Sequence, residues 1–225
     1  VRTPTRWSKA VKHCFGPSAS VQDAYFYESK KNQVSLIAVS LANAPPMQVI
    51  GKMFSWGERG KEEDVLRKAA ALGVEVPAII GGYRNILFME YVPGSTLRSL
   101  LPSSVDPRAL LSFAASWLAN FHRVFRKGRR RTLLKGDMRL QNFIMKGGTL
   151  YGVDFEESAW GDPLEDVADM AATLLRFPWQ SGLEAGQIAE HFVESYGSGG
   201  SVERPRLEER LAYHLSERDR IKALL

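Results

Sequence analysis

The 225-residue chain predicts an α+β protein of two lobes: an antiparallel five-stranded sheet with one helix, then a mostly helical half. Three observations predict it. Short runs of β-branched and aromatic residues dominate the first ninety positions. Amphipathic stripes of helical period dominate the remaining positions. Pro93-Gly94 interrupts both patterns, so the lobes are placed at 1–92 and 93–225.

The first strands are AYFYES (24–29) and VSLIAVSLA (34–42), parted by the polar turn KKNQ. MQVIGKMF (47–54) comes after a Pro-Pro pair that bars a helix. EEDVLRKAAALGV (62–74) changes period: Val65, Leu66, Ala69, Ala70 and Leu72 form a helical stripe, with Gly73 as C-cap. VPAIIGG (76–82) and NILFMEYV (85–92) complete five strands. Beyond the break, Ser95 is a candidate cap for a short helix to Leu101. DPRALLSFAASWLANFHRVFRKG (106–128) has Asp106 to cap it, Pro107 in its first turn and Gly128 to end it. FIMK (143–146) and TLYGVDF (149–155) read as a hairpin, and 163–177, 181–197 and 204–225 as three helices.

Composition narrows the class. A hydrophobic fraction of 44% supports a packed core, and 24% charged residues argue against disorder. A net charge of +5 and a pI near 9.3 favour anionic partners without selecting one. The single Cys14 excludes an intramolecular disulfide and a cysteine zinc site, so a reducing, cytoplasmic setting is expected and an inert thiol with it. No apolar run reaches the length of a membrane span, and no signal-peptide segment opens the chain, which starts at Val1 as though a few residues precede it.

The polar residues that stand beside apolar elements are Lys52, Glu62, Asp137, Asn142, Asp154 and Asp166. Burying such groups is costly unless they pair with one another or with a bound ion. Asp137 and Asn142 read either as loop caps or, with Asp154 in register, as a base and two metal ligands. Phosphoryl transfer needs this set: a lysine against phosphates, a glutamate holding it, hard oxygen ligands for magnesium, and an aspartate that orients a hydroxyl. Glu62 and Glu63 both open the same helix, so either could hold Lys52, with Glu62 preferred.

In these motifs and their order the chain resembles the protein-kinase-like superfamily, on its aminoglycoside phosphotransferase and Bud32/RIO side. GDMRLQN resembles the catalytic loop, VDFEE the metal motif and VIGKMF the lysine strand. The resemblance implies ATP and Mg2+ as cofactors, bound in a cleft between the lobes. It implies Asp137 as the catalytic base, Lys52 on the phosphates with Glu62 as its partner, and Asn142 and Asp154 as metal ligands. ILFMEYVPGSTL implies a hinge where the backbone of Glu90 and Val92 bonds the base, with Met89 behind it. GDPLEDVADM implies that Asp166 braces the catalytic loop. The match covers most of residues 21–177.

The chain departs from the pattern in several places. PSASVQDAYF, the candidate first turn, has no glycine, and no APE-like segment comes after the metal motif. Lys135 stands where the family has His and is a candidate contact for a phosphate or substrate anion; Arg139 is a candidate for charge near the transferred group. DFE replaces DFG, as in small-molecule kinases.

RKGRRR (126–131) holds five cations in six residues. Helix-end cations complement the dipole, which accounts for two or three of them. Arg129, Arg130 and Arg131 are therefore candidates for an anionic substrate, RNA or an anionic membrane surface. Trp117, Phe121 and Phe125 read as core, as do Trp160 and Trp179, and His122 as a satisfied buried histidine. The expected function is an ATP- and magnesium-dependent kinase acting on a hydroxyl of a small molecule or sugar-lipid. The alternatives are a Bud32/RIO-like protein kinase or ATPase with a protein or RNA partner, and a nucleotide-binding pseudokinase.

Overall fold

The computed structural model describes residues 5–28, 31–42, 44–55, 59–128, 130–179, 184–197 and 202–224. Contacts divide the chain into two compact units, 1–70 with 77–93, and 71–76 with 94–225.

The first unit opens with α1 (Thr5–Phe15) and continues β1 (Ser20–Tyr27), β2 (Gln33–Leu41), β3 (Ala44–Met53), α2 (Arg59–Ala71), β4 (Ile79–Tyr83) and β5 (Ile86–Glu90). The five strands form one antiparallel sheet of order β1-β2-β3-β5-β4. The expectation of one helix is corrected to two. Trp7, Ala10, Val11, Cys14 and Phe15 recur at helical spacing, and the first three are wholly buried. They cover one face of the sheet, packing on Ile37, Val39, Val49, Ile86 and Phe88. Gly51 lies under the Trp7 ring, where a Cβ would overlap it. Cys14 packs nearby, and burial pushes its thiol pKa up, against the opposing pull of Arg59, as suits an unreactive thiol.

A second correction concerns the first turn. PSASVQDAYF is not a turn: most of it forms β1, and β2 begins at Gln33. Successive strand residues face opposite ways. Lys52 therefore sits on the face away from α1, in a cross-strand row Tyr27–Val34–Lys52–Leu87. The next row on that face is Tyr25–Leu36–Ile50–Met89.

The second unit contains β6 (Ser95–Thr96), α3 (Leu97–Leu100), α4 (Pro107–Val124), β7 (Thr132–Leu134), β8 (Phe143–Lys146), β9 (Thr149–Gly152), β10 (Ala159–Gly161), α5 (Leu164–Leu175), α6 (Ala185–Gly197) and α7 (Arg204–Leu224). Thr96, not Ser95, caps α3, accepting the Ser99 N–H at 3.2 Å. Asp106 caps α4 through the Arg108 N–H at 3.0 Å, with Pro107 in the first turn. That helix stops at Val124, short of the predicted Gly128; the chain turns so that the Lys127 N–H reaches the Arg131 carbonyl at 2.7 Å.

Buried faces of α4 (Leu111, Ala114, Ala115, Leu118) and α5 (Val167, Met170, Ala171, Leu174) form the helical core with Ile188, Phe192 and Val193 of α6. Residues 71–76 belong to this unit because the Glu75 carbonyl accepts both the Gly152 N–H (3.1 Å) and the Trp117 indole N–H (2.9 Å). Trp117, Phe121, Phe143 and Phe155 form an aromatic cluster under the loop after β7. Trp117, Phe121 and Phe125 are all buried. Trp160 departs from its expected core position: it is 40% exposed, with the Lys127 ammonium 3.9 Å above its ring. Trp179 is half-buried and donates its indole N–H to the Leu174 carbonyl at 2.8 Å.

Candidate active site

In the first unit, Lys52 Nζ donates to Glu62 Oε2 at 2.7 Å, and both side chains are almost wholly buried. Helix phase selects Glu62 over Glu63. Glu62 falls on the stripe with Val65, Leu66 and Ala69 and is buried with them. Glu63 points elsewhere and pairs with Arg59 and Arg67, its i−4 and i+4 neighbours. The Lys52 ammonium also lies 5.2 Å from the Phe54 ring centre. Met89 and Val92 are buried. The Glu90 N–H is engaged by the Ala78 carbonyl at 2.8 Å, so that N–H is not the group that would meet a base. Tyr25 and Tyr27, absent from the sequence-predicted set, share the Lys52 face at its outer strand, with their rings 5.2 Å apart. Strand alternation counted from Lys52 is the signal that finds them.

In the second unit, the loop after β7 carries Lys135 to Asn142, and the turn after β9 carries Asp154. Lys135 is fully buried. Its ammonium donates to the Asp137 carbonyl at 2.8 Å and the Asp154 carbonyl at 3.1 Å, near the Phe143 and Phe155 rings. This corrects the expectation that Lys135 contacts a phosphate or substrate anion. With no exposed surface, it clamps the main chains of Asp137 and Asp154 to one another. A third link runs from the Val153 N–H to the Asn142 carbonyl at 2.9 Å. Asp137, Asn142 and Asp154 are thereby gathered in one place.

Each of the three is held in a particular pose. The Asn142 Nδ2 points to the Asp137 carbonyl at 3.4 Å, which makes Oδ1 the atom available as a ligand. Asp154 has φ +63°, a left-handed conformation that costs energy for any residue but glycine. It ends β9 short of the predicted hairpin. Asp137 Oδ1 accepts the Arg139 N–H at 3.2 Å and lies 3.3 Å from Arg139 Nε. Arg139 is otherwise exposed, so its charge sits on the candidate base.

Asp166 braces this loop from α5. Its Oδ2 accepts the Lys135 N–H at 2.6 Å and its Oδ1 the Gly136 N–H at 3.0 Å. His122 completes the set, with Nε2 3.0 Å from Asp166 Oδ2 and Nδ1 2.9 Å from the Tyr196 hydroxyl. The tautomer with hydrogen on Nε2 satisfies every partner, because the Tyr196 hydroxyl then donates to Nδ1. Burial first, then the Asp166 charge, pushes the Tyr196 phenol up to about 12. Gly136 needs φ +85° and has the Glu157 carbonyl where a Cβ would stand. Asp169, also on α5, accepts the Met138 N–H at 3.1 Å; sequence spacing gave no sign of it.

The basic run lies away from these groups along the chain. Arg130 pairs with Glu203 at 3.2 Å, and Arg131 is exposed; Arg129 lies outside the described residues. Among the described residues, no helix is long and apolar enough to cross a membrane.

Parts of the chain are similar to known proteins. Residues 125–210 match the model of the phosphotransferase enzyme family. The chain is 31% identical over 112 residues to the EKC/KEOPS complex subunit BUD32 of Encephalitozoon cuniculi (strain GB-M1), over 50% of this chain and 53% of that one. It thus spans about half the length of that curated relative. Its fold is similar to that of amicoumacin kinase hAmiN in complex with AMP-PNP, Ca2+ and Ami (TM-score 0.66, 12% identity, 85% of this chain and 80% of that chain). It is also similar to the streptomycin-ATP-APH(2'')-IIa ternary complex (TM-score 0.65, 13% identity, 95% and 86%). The chain therefore shares its fold with these solved kinase structures, and its residues 125–210 carry the match to the phosphotransferase enzyme family.

Proposed function

We propose that this chain is an ATP- and magnesium-dependent phosphotransferase that moves the terminal phosphate to a hydroxyl of a small molecule or sugar-lipid. The observation that carries the reading is the gathering of Asp137, Asn142 and Asp154 by the Lys135 ammonium and the 142–153 main-chain bond. A left-handed aspartate is a strained arrangement, and strain of this kind is kept where function requires it. The donors fit magnesium, which takes hard oxygen ligands: a carboxylate from Asp154 and the Oδ1 of Asn142. The bound ion would supply charge neutralisation on the phosphates.

The chain's own residues do the rest. Asp137 accepts the proton of the incoming hydroxyl and orients it, as a base does within hydrogen-bond reach. Lys52 offers its ammonium to phosphate oxygens and is kept from wandering by Glu62. Main-chain groups of Glu90 and Val92 meet the base of the nucleotide, backed by Met89. Asp166 holds the loop that presents Asp137.

The test is magnesium-dependent ATP turnover with a panel of hydroxyl acceptors, run beside Asp137→Asn. The variant is expected to keep ATP affinity and lose transfer; transfer at the parent rate would show that another group is the base. A second reading has one observation in its favour, the 31% match to BUD32. On that reading the acceptor is a protein serine or threonine, and the acceptor panel separates the two by including a peptide.

A further inference from the structure

Asp169 is held from two sides. Its Oδ2 accepts the Met138 N–H at 3.1 Å, one residue after Asp137. Its Oδ1 lies 3.7 Å from His214 Nδ1 on α7. His214 Nε2 is buried without a hydrogen bond and stands 3.5 Å from Glu165 Oε2. Glu165 Oε1 in turn accepts Arg210 Nε at 2.7 Å, and Arg210 and Arg206 both reach Asp162. Arg206, Arg210 and His214 recur every fourth residue, so they share one face of α7. That face meets Asp162, Glu165 and Asp169 in the same order. Asp169 is the inner end of the ladder, and the next group inward is the loop.

The peptide plane between 137 and 138 is rigid. Fixing the Met138 N–H therefore fixes the backbone torsion that aims the Asp137 side chain. Asp166 fixes the 135 and 136 N–H groups on the other side. Asp137 thus sits between the Asp166 clamp and the Asp169 clamp, and it is Asp169 that His214 of α7 reaches. His214 lies beyond the residues matched by the phosphotransferase family model.

We propose that Asp169 is a positioning residue for the loop that carries Asp137, and that α7, through His214, sets its aim. The C-terminal helix then tunes phosphoryl transfer without touching substrate. The catalytic half of this inference rests on the function proposed above; the structural half, α7 to Met138, does not.

The experiment uses the full chain with Asp169→Ala, Asp169→Asn and His214→Ala. Two quantities are read: amide hydrogen exchange at Met138, and magnesium-dependent hydrolysis of ATP with water as acceptor. Asp169→Ala should speed Met138 exchange about tenfold or more and lower kcat about tenfold while leaving KM for ATP unchanged. Asp169→Asn keeps an acceptor oxygen and should restore most of both. His214→Ala should move both in the same direction by about threefold. Unmoved Met138 exchange in His214→Ala overturns the link to α7. Faster exchange with unchanged kcat reduces Asp169 to a structural role. A parent chain that never turns over ATP sinks the kinase reading instead, and the exchange data alone then decide whether α7 reaches the loop.

Discussion

Replacing Asp166 by alanine should be among the most damaging single changes in the helical unit. The carboxylate accepts three hydrogen bonds, from the Lys135 N–H, the Gly136 N–H and His122 Nε2. Asp166, Lys135 and His122 are all at most 2% exposed, so water cannot replace the lost acceptor without the loop opening. Each stranded donor costs about 1–3 kcal/mol, and relief of the buried charge offsets part of the sum. The expected loss is about 4 kcal/mol, a large share of the roughly 5–15 kcal/mol that holds a domain folded. Urea unfolding measures it as a lowered midpoint. Asp166→Asn separates charge from geometry. If its oxygen replaces Oδ2, it keeps the Lys135 and His122 bonds and turns an amide NH2 against the Gly136 N–H, for a loss of about half as much. An alanine variant that loses under about 1 kcal/mol, or an asparagine variant no better than alanine, would refute the reasoning.

Three further outcomes are expected. Glu62→Ala breaks the buried ion pair with Lys52 and should cost about 3–5 kcal/mol, whereas Glu63→Ala, which loses only partly exposed pairs to Arg59 and Arg67, should cost under about 1 kcal/mol by the same unfolding assay. Gly136→Ala must force a left-handed alanine against the Glu157 carbonyl and should cost more than about 3 kcal/mol; Gly128→Ala, at φ +86° with nothing near its Cβ, should cost about 1 kcal/mol, and equal losses would contradict the role given to the Glu157 contact. The Tyr196 phenol titrates near 12 in the folded chain against 10.0 ordinarily, so its contribution to stability is complete below pH 10 and disappears as pH rises to about 12. Alkaline unfolding should be shallower over that window in Tyr196→Phe, with a difference of roughly 3 kcal/mol at most; superimposable curves would count against it.

How much of the molecule is legible in its sequence depends on the range of the contacts. Lys52, Asp137, Asn142 and Asp154 stand out because a polar residue beside an apolar run is costly unless it is used. The choice between Glu62 and Glu63 is also readable, since only Glu62 shares a helical stripe with Val65, Leu66 and Ala69. The Trp7–Ala10–Val11–Cys14 stripe spells α1 just as clearly, though three cations among its eleven residues and the absence of an acid in its first turn obscure it. Lys135 is different. A cation beside a candidate base suggests an anion partner, and only the fold reveals two carbonyls and two aromatic rings around it. Asp169 and His214 lie forty-five residues apart and meet only through the packing of α5 on α7, which no local pattern encodes. Trp160 is expected inside because tryptophan is a large apolar residue, but it lies on β10 of a two-stranded ribbon that leaves one face to solvent.

The helix that opens the chain has a practical meaning. A chain trimmed to begin at Gly16 would lose Trp7, Ala10 and Val11 and bare a greasy sheet surface built from Ile37, Val39, Val49 and Phe88. Adhesive surfaces of this kind cause proteins to clump. Shortened versions meant for binding assays should keep every residue from Thr5 onward, or failure to stay in solution will be mistaken for failure to bind nucleotide.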